Sequence, residues 1–430
     1  MSARKDTYVC HVAEDFDSSS CSKDGGKSRG RRESRDQLSS QDEVKRDSSS
    51  SNNGGRKTPN ASPLQRGNSQ RKMMSRSISD LGRLERQSSS LSKQGGMSSG
   101  ASKFKWLLKT GSFPTLSLAN LETERIIGTG LMGTVRIVKI KDKPFYCALK
   151  AIRKDYIVKH KDGRHMENER RIMLRLNCPF CIKLFGTFQD GAFVYFLMEL
   201  AVGGELFRRL NKKDFFSAET TKFYAHEIFS ALEHVQGLGY VYRDLKPENV
   251  MLDEDGHCKL VDFGFSTQPD DNGIVRTFCG TPAYLSPEQL NGKFTNGYSK
   301  IVDWWSLGIL IYELLTGMTP FCNSNSETAY EIYLRILKNK IKFSRGFDSD
   351  AKQLVQKLCH SDVSKRLADP ELIKSDKYFT MPWDAVNSRK LVPPFVPRIK
   401  EESDRDHYFN QYPEARGTPR ETGRLDLEGF

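Results

Sequence analysis

Tyr242-Arg243-Asp244-Leu245-Lys246-Pro247-Glu248-Asn249 sets a carboxylate, an ammonium and an amide in one short stretch, and Asp262-Phe263-Gly264 begins thirteen residues after Asn249. These groups suit transfer of a phosphoryl group from a metal–nucleotide complex to a hydroxyl. Asp244 would accept a hydrogen bond from the incoming hydroxyl and take its proton late. Lys246 would steady the γ-phosphoryl group, and Asn249 and Asp262 would hold two Mg²⁺ ions beside ATP. Such a transfer needs positioning and charge neutralisation more than covalent chemistry. Loss of one group leaves developing charge uncompensated, typically at several kcal/mol of barrier.

Gly128-Thr129-Gly130-Leu131-Met132-Gly133-Thr134-Val135 is a GxGxxGxV turn. Its glycines let the backbone approach phosphate oxygens with no Cβ in the way. A dinucleotide-binding turn would open a helix after the third glycine; here a β-branched run follows, which predicts a flap over a nucleotide. Gly128, Thr129, Gly130 and Gly133 are the candidate phosphate contacts. Ala148-Leu149-Lys150 puts a lysine on the next strand, and Glu169 is the partner that would hold it against the α- and β-phosphates.

Strand-like text covers 125–128, 134–140, 145–152, 182–188 and 193–199. Helical spacing through Met166, Ile172, Met173 and Leu176 predicts a helix over 164–176. From Glu205 onward helical patterns dominate, at 217–238, 303–316, 326–338 and 348–359. The pattern is α+β, with a small β-rich lobe before a larger helical one. No internal repeat is apparent.

The 430 residues carry a net charge of +13, which resembles a nucleic-acid signal until it is located. Residues 1–115 hold 22 Lys/Arg against 12 Asp/Glu, and residues 116–430 hold 45 against 42, so the charge sits mainly in the N-terminal extension. That extension is Ser-, Gly- and Lys/Arg-rich and is expected to be disordered. Met1-Ser2 lacks the second-position glycine that N-myristoylation needs. Phe104, Trp106, Leu107 and Leu108 predict a short amphipathic segment, 102–109, that docks on the domain, with membrane association as the alternative. Nine cysteines without a disulfide framework or signal peptide point to a reducing compartment. Cys178-Pro179-Phe180-Cys181 has no second pair at zinc-ribbon spacing and reads as core cysteines beside a turn. The apolar run Trp304–Leu315 is shorter than the ~20 residues a membrane span needs, so it predicts a buried helix.

Tyr242-Arg243-Asp244, Asp262-Phe263-Gly264-Phe265, Thr277-Phe278-Cys279-Gly280-Thr281-Pro282 and Asp303-Trp304-Trp305-Ser306-Leu307-Gly308 together resemble the AGC group of eukaryotic serine/threonine protein kinases, most closely the cAMP-dependent catalytic subunits. The resemblance runs from about Leu121 to Phe430. It implies a bilobal kinase fold over 121–379 (small lobe 121–199, large lobe 200–379) and a C-terminal tail over 380–430. By resemblance, Val135, Ala148, Met198, Glu199, Ala201 and Met251 line the adenine pocket, with Glu205 near the ribose. Phe409 belongs to a nucleotide-contacting tail segment, and Phe430 plugs a pocket on the small lobe. Glu288 pairs with Arg366. Thr277 is the activation-segment phosphosite, clamped by Arg243 and His165, and Thr418 is a tail phosphosite.

A substrate arginine needs carboxylates at the cleft edge. Glu205, Glu248 and Glu313 occupy the positions that read such arginines in the resembled family, and Phe278, Pro282 and Leu285 would seat an apolar residue after the acceptor. The expected site is Arg-Arg-x-Ser/Thr-apolar. Arg31-Arg32-Glu33-Ser34 fits its Arg-Arg-x-Ser part, with Arg35 following in place of an apolar residue, which suggests self-phosphorylation or a pseudosubstrate role for Ser34. Leu131-Met132, Thr267, Ala283 and Arg276 depart from the resembled pattern at the flap tip, the phosphate clamp, a distal substrate contact and a partner-docking position. The expected partners are basic protein substrates and a separate cyclic-nucleotide-binding regulatory subunit. Neither specific nucleic acid nor a transmembrane segment is expected, and the expected location is the cytoplasm with access to the nucleus. A cGMP-dependent-like or other AGC kinase is the alternative. A pseudokinase scaffold would require loss of Lys150, Asp244 or Asp262, all of which are present.

Overall fold

The computed structural model describes residues 116–130, 132–160, 162–291, 296–324, 327–399, 407–410, 412–413, 425, 427 and 430. The expectations for the extension, its 102–109 segment, Ser34, Leu131 and Thr418 lie outside these residues.

The small lobe is a five-stranded antiparallel sheet: β1 (Leu121–Thr129), β2 (Gly133–Ile140), β3 (Tyr146–Arg153), β4 (Leu184–Gln189) and β5 (Phe193–Glu199). Their spatial order is β1-β2-β3-β5-β4. Alternation along each strand divides its side chains between two faces. Val138, Ile140, Cys147, Leu149 and Leu197 pack with Leu121 on one side. Ile152, Val194 and Phe196 turn the other way, into the main core. After β3 come α1 (Lys154–His160) and α2 (Gly163–Arg175). α2 buries Met166, Glu169, Ile172 and Met173. The three-to-four-residue spacing that seats three apolar side chains therefore also carries one carboxylate inward.

The large lobe opens with a second sheet, β6 (Gly204–Glu205), β7 (Val250–Leu252) and β8 (Cys258–Leu260), which the sequence pattern did not foretell. Strands of two or three residues are too short to show a period. Around it lie α3 (Leu206–Lys213), α4 (Ala218–Gly237), α5 (Pro287–Leu290), α6 (Val302–Thr316), α7 (Ala329–Lys338), α8 (Ser349–Leu358), α9 (Pro370–Lys374) and α10 (Trp383–Asn387). α6 is buried around most of its circumference, as a central helix must be; Trp304, Trp305, Leu307, Ile309, Leu310, Ile311 and Leu314 are fully buried, and Asp303, Ser306 and Glu313 are carried inward with them. A Cβ on Gly308 would lie 2.6 Å from Cys359 Sγ, so glycine permits the close crossing beside α8. Leu310→Ala would remove a fully buried side chain at about 2–5 kcal/mol.

Helix boundaries follow caps. The expected helix from 326 begins instead at Ala329, where Thr328 and Glu331 form a reciprocal capping box. Asp348 likewise caps α8, accepting from the Asp350 and Ala351 N–H groups. No helix among the described residues is long and apolar enough to cross a membrane, and the run Trp304–Leu315 lies in α6.

Candidate active site

The lower face of the cleft is built from α6 upward. Asp303, fully buried on α6, accepts hydrogen bonds from Tyr242 N–H at 3.0 Å, Arg243 N–H at 2.8 Å and Gln236 Nε2 at 3.0 Å. These bonds fix a chain path in which Arg243 takes φ 74°, a conformation a non-glycine residue keeps only when its surroundings impose it. The turn delivers Asp244 to the cleft. Its Oδ1 accepts from Thr281 Oγ1 at 2.7 Å, and its Oδ2 from Lys246 Nζ and Asn249 Nδ2, each at 2.8 Å. Lys246 also donates to Thr281 Oγ1 at 2.9 Å. Burial raises Asp244 above the usual carboxylate range, while the Lys246 ammonium and the Thr281 hydroxyl pull it down. Burial also works against the charge on Lys246, but Asp244, Glu248 and Asp262 outweigh it and hold the ammonium above its ordinary range. The result is a fixed carboxylate with a fixed cation beside it.

The upper face comes from separate elements. Lys150 on β3 donates to Glu169 Oε1 on α2 at 2.7 Å and to Asp262 Oδ1 at 3.2 Å. Burial opposes the lysine's charge, yet the two carboxylates hold it well above its ordinary range. Lys150 in turn lowers Asp262. Asp262 stands at φ 56°, just beyond β8, with its side chain 53% exposed to the cleft.

The donor chemistry fits a hard divalent cation. The Asn249 amide nitrogen is spent on the Asp244 carbonyl and carboxylate, both at 2.8 Å, which leaves Oδ1 as the amide's acceptor. Asp262 adds an ionised carboxylate oxygen. No group of three or more His, Cys, Asp or Glu among the described residues could hold a metal by itself, in keeping with Mg²⁺, which takes one or two protein oxygens and completes its shell with phosphate and water.

Above them, Gly130 N–H donates to Gly133 O at 2.9 Å and closes the flap between β1 and β2. A Cβ on Gly133 would lie 1.8 Å from the Ala151 carbonyl oxygen, so no other residue fits there. Gly128 and Thr129 end β1 opposite Val135 and Thr134. Ala148 faces Met198 across the β3–β5 pair, and Met251 faces Glu205 across β6–β7. Ala201 is buried between the lobes' sequences, and Glu199 pairs with Lys259 at 3.0 Å. Phe409 is buried, with the Arg125 guanidinium 6.0 Å from its ring centre.

Glu205 precedes α3, and Glu248 sits in the one-turn helix Pro247–Asn249. Burial pushes Glu205 up to about 7, with the Glu248 charge adding to the effect against Arg208 and Lys246. Glu313, buried on α6, accepts from the Tyr284 hydroxyl. Phe278 stands edge-on to Tyr333 at 6.3 Å, Pro282 opens a short 3-10 turn, and Leu285 is 2% exposed. Thr277 accepts from Arg243 Nη1 at 2.5 Å. His165 bonds Asp162 at 2.7 Å, so of the two expected clamps Arg243 is the one bonded to Thr277 among the described residues. Arg366 forms a two-pronged pair with Glu288, one arm at 2.8 Å.

At the chain end, Phe430 stands edge-on to Phe196 at 5.3 Å under the Arg170 guanidinium of α2, and Gln189 Nε2 donates to the Leu427 carbonyl at 3.1 Å. Sequence reasoning passed over Thr281 and Asp303 as working residues. Each lay inside a quoted motif, and the available signal was a polar side chain where the neighbouring text is apolar.

Residues 121–379 match the family described as "Protein kinase domain". The chain belongs to that family, and Lys150, Glu169, Asp244, Lys246, Asn249 and Asp262 all lie within the matched span. The chain is 42% identical over 321 residues to the cAMP-dependent protein kinase catalytic subunit PRKX of Mus musculus, covering 73% of this chain and 88% of that one. It is 40% identical over 303 residues to cAMP-dependent protein kinase type 3 of Saccharomyces cerevisiae, covering 69% and 74%. It is also 40% identical over 308 residues to a RAC family serine/threonine-protein kinase homolog of Dictyostelium discoideum, covering 69% and 67%. It is a serine/threonine kinase of the cAMP-dependent catalytic-subunit type.

Proposed function

We propose that this kinase phosphorylates Ser or Thr in Arg-Arg-x-Ser/Thr-apolar sites, with Asp244 receiving the acceptor hydroxyl's proton and Lys150 and Lys246 gripping the phosphates. Asn249 and Asp262 would hold two Mg²⁺ ions, whose chemistry is to neutralise charge on the transferring group. The observation that carries the specificity is the carboxylate pair at the cleft edge: Glu205 is pushed up to about 7 by burial and by Glu248. An incoming guanidinium, which binds carboxylates in a fork, relieves the repulsion that Glu248 exerts on Glu205. Phe278 beside Tyr333 offers an apolar seat for the residue after the acceptor.

Mg·ATP-dependent turnover of an Arg-Arg-x-Ser-apolar peptide, against its Ala-Ala counterpart and with Asp244→Asn protein as control, tests the reading. Preference for the first peptide supports it, and equal turnover of the two would sink the assignment of the glutamates. Relatives named as cAMP-dependent catalytic subunits motivate a separate cAMP-binding regulatory partner; co-purification that cAMP does not alter would count against it. The seven described cysteines are free thiols, which supports a cytoplasmic location with nuclear access, to be checked by imaging a tagged full-length chain.

A further inference from the structure

Phosphoryl transfer leaves one thiol pair unused. Cys178-Pro179-Phe180-Cys181 forms a turn between α2 and β4, closed by Cys181 N–H donating to the Cys178 carbonyl at 3.2 Å. A turn of this kind holds its first and fourth Cα atoms within about 7 Å, inside the reach of a disulfide. Cys181 is 2% exposed, whereas Cys178 is half-buried and reaches the Ser230 carbonyl at 4.0 Å. The neighbouring Cys181 thiol is the chief influence holding Cys178 below the ordinary thiol range, and the Lys259 ammonium adds to it. The Cys178 sulfur in turn, together with burial, holds Cys181 well above that range. One accessible sulfur is thus disposed to ionise, and its neighbour keeps its proton. No third ligand completes a metal site here among the described residues.

We propose that Cys178 and Cys181 are a peroxide-sensitive redox pair that acts on phosphoryl transfer from outside the cleft. The Cys178 thiolate attacks one oxygen of hydrogen peroxide; the O–O bond breaks, and hydroxide leaves and is protonated to water. The Cys181 sulfur then attacks the Cys178 sulfenic acid, the S–O bond breaks, and the oxygen leaves as water with the Cys181 proton. Two thiols have lost two electrons, and one peroxide has become two waters. The turn is bonded to the strand that leads to Asp262: Ile182 N–H donates to Leu260 O at 2.9 Å, and Leu260 N–H to Phe180 O at 2.7 Å. A cross-link that reshapes the turn is therefore passed to a residue two positions before the metal ligand.

The test treats the full chain with limiting hydrogen peroxide and maps the tryptic peptide 176–183, which holds both cysteines. In the wild type the peptide should become lighter by two hydrogens, and kcat should fall several-fold and recover with dithiothreitol. Cys181→Ser should trap a dimedone-reactive sulfenic acid on Cys178 without the cross-link, and Cys178→Ser should leave the peptide unchanged. An unmodified wild-type peptide while other cysteines oxidise, linkage of Cys181 to Cys258, or a fall in kcat as large in Cys181→Ser as in the wild type would overturn the proposal. The wild-type peptide mass requires no variant to fold.

Discussion

Asp244, Lys246, Asn249 and Thr281 on the lower face of the cleft bond one another directly at 2.7–2.9 Å, from positions at most 37 apart in the chain. On the upper face, Lys150, Glu169 and Asp262 come from β3, from α2 and from beyond β8, and are separated by 19 and 112 positions. The lower set is anchored by Asp303 through main-chain hydrogen bonds, so its geometry is built with the large lobe. The upper set holds only while α2 stays packed against the sheet, and Phe430 and Leu427 press on that helix and its neighbouring strand. The lower face supplies preorganised chemistry, and the upper face supplies the part that a distant contact can adjust.

Substitutions can break or sharpen that contrast. The largest effect is expected from Asp244→Asn, which removes the carboxylate proposed to take the acceptor's proton: kcat should fall by about 10²–10⁴-fold with ATP affinity little changed. An unchanged kcat would remove Asp244 from the chemistry. Next, Lys150→Met and Glu169→Gln should each lower kcat/KM by roughly 10²-fold, and the double variant should lose little more, because the two act as a unit. Strict additivity would show that the pair seen at 2.7 Å does not work as one.

The third prediction concerns pH. Glu205 is raised, not depressed, so in the free enzyme it is protonated below about 7 and ionised above. Binding of a substrate arginine is then linked to loss of that proton, and affinity rises with pH until Glu205 is fully ionised. KM for the Arg-Arg peptide should fall by up to about tenfold between pH 6 and pH 8. The Ala-Ala peptide should show no such trend, and Glu205→Gln should flatten it; a KM independent of pH in the wild type would contradict the assignment. The smallest effect is expected from Phe430→Ala, which loses one aromatic contact and one cation–π contact at the lobe surface, about 1–2 kcal/mol. It should lower kcat/KM a few-fold, and the loss should be larger in Lys150→Arg protein than in wild type if α2 is the element being braced.

Much of this was legible in the text. The β-branched run of β2, the strand-like text of β3, the spacing of α2 and the long apolar run of α6 are local features of the chain and survive without coordinates. Thr328 and Asp348 set helix starts through hydrogen bonds to their own next turn, again a local matter. The β6–β8 sheet was invisible because its strands are too short to carry a pattern. Thr281 and Asp303 were unremarked because their partners lie 37 and 60 or 61 positions away.

The sequence by itself determined which groups are present and in what order: an acid, an ammonium and an amide in one loop, a carboxylate after β8, a lysine on β3 and a glycine flap. Their types and close spacing already pointed to phosphoryl transfer. Only the tertiary structure decided how each group is charged and aimed. The energy of a charge depends on burial and on neighbours brought close by folding, so Glu205 is raised while Asp262 is lowered, though both are carboxylates in one cleft.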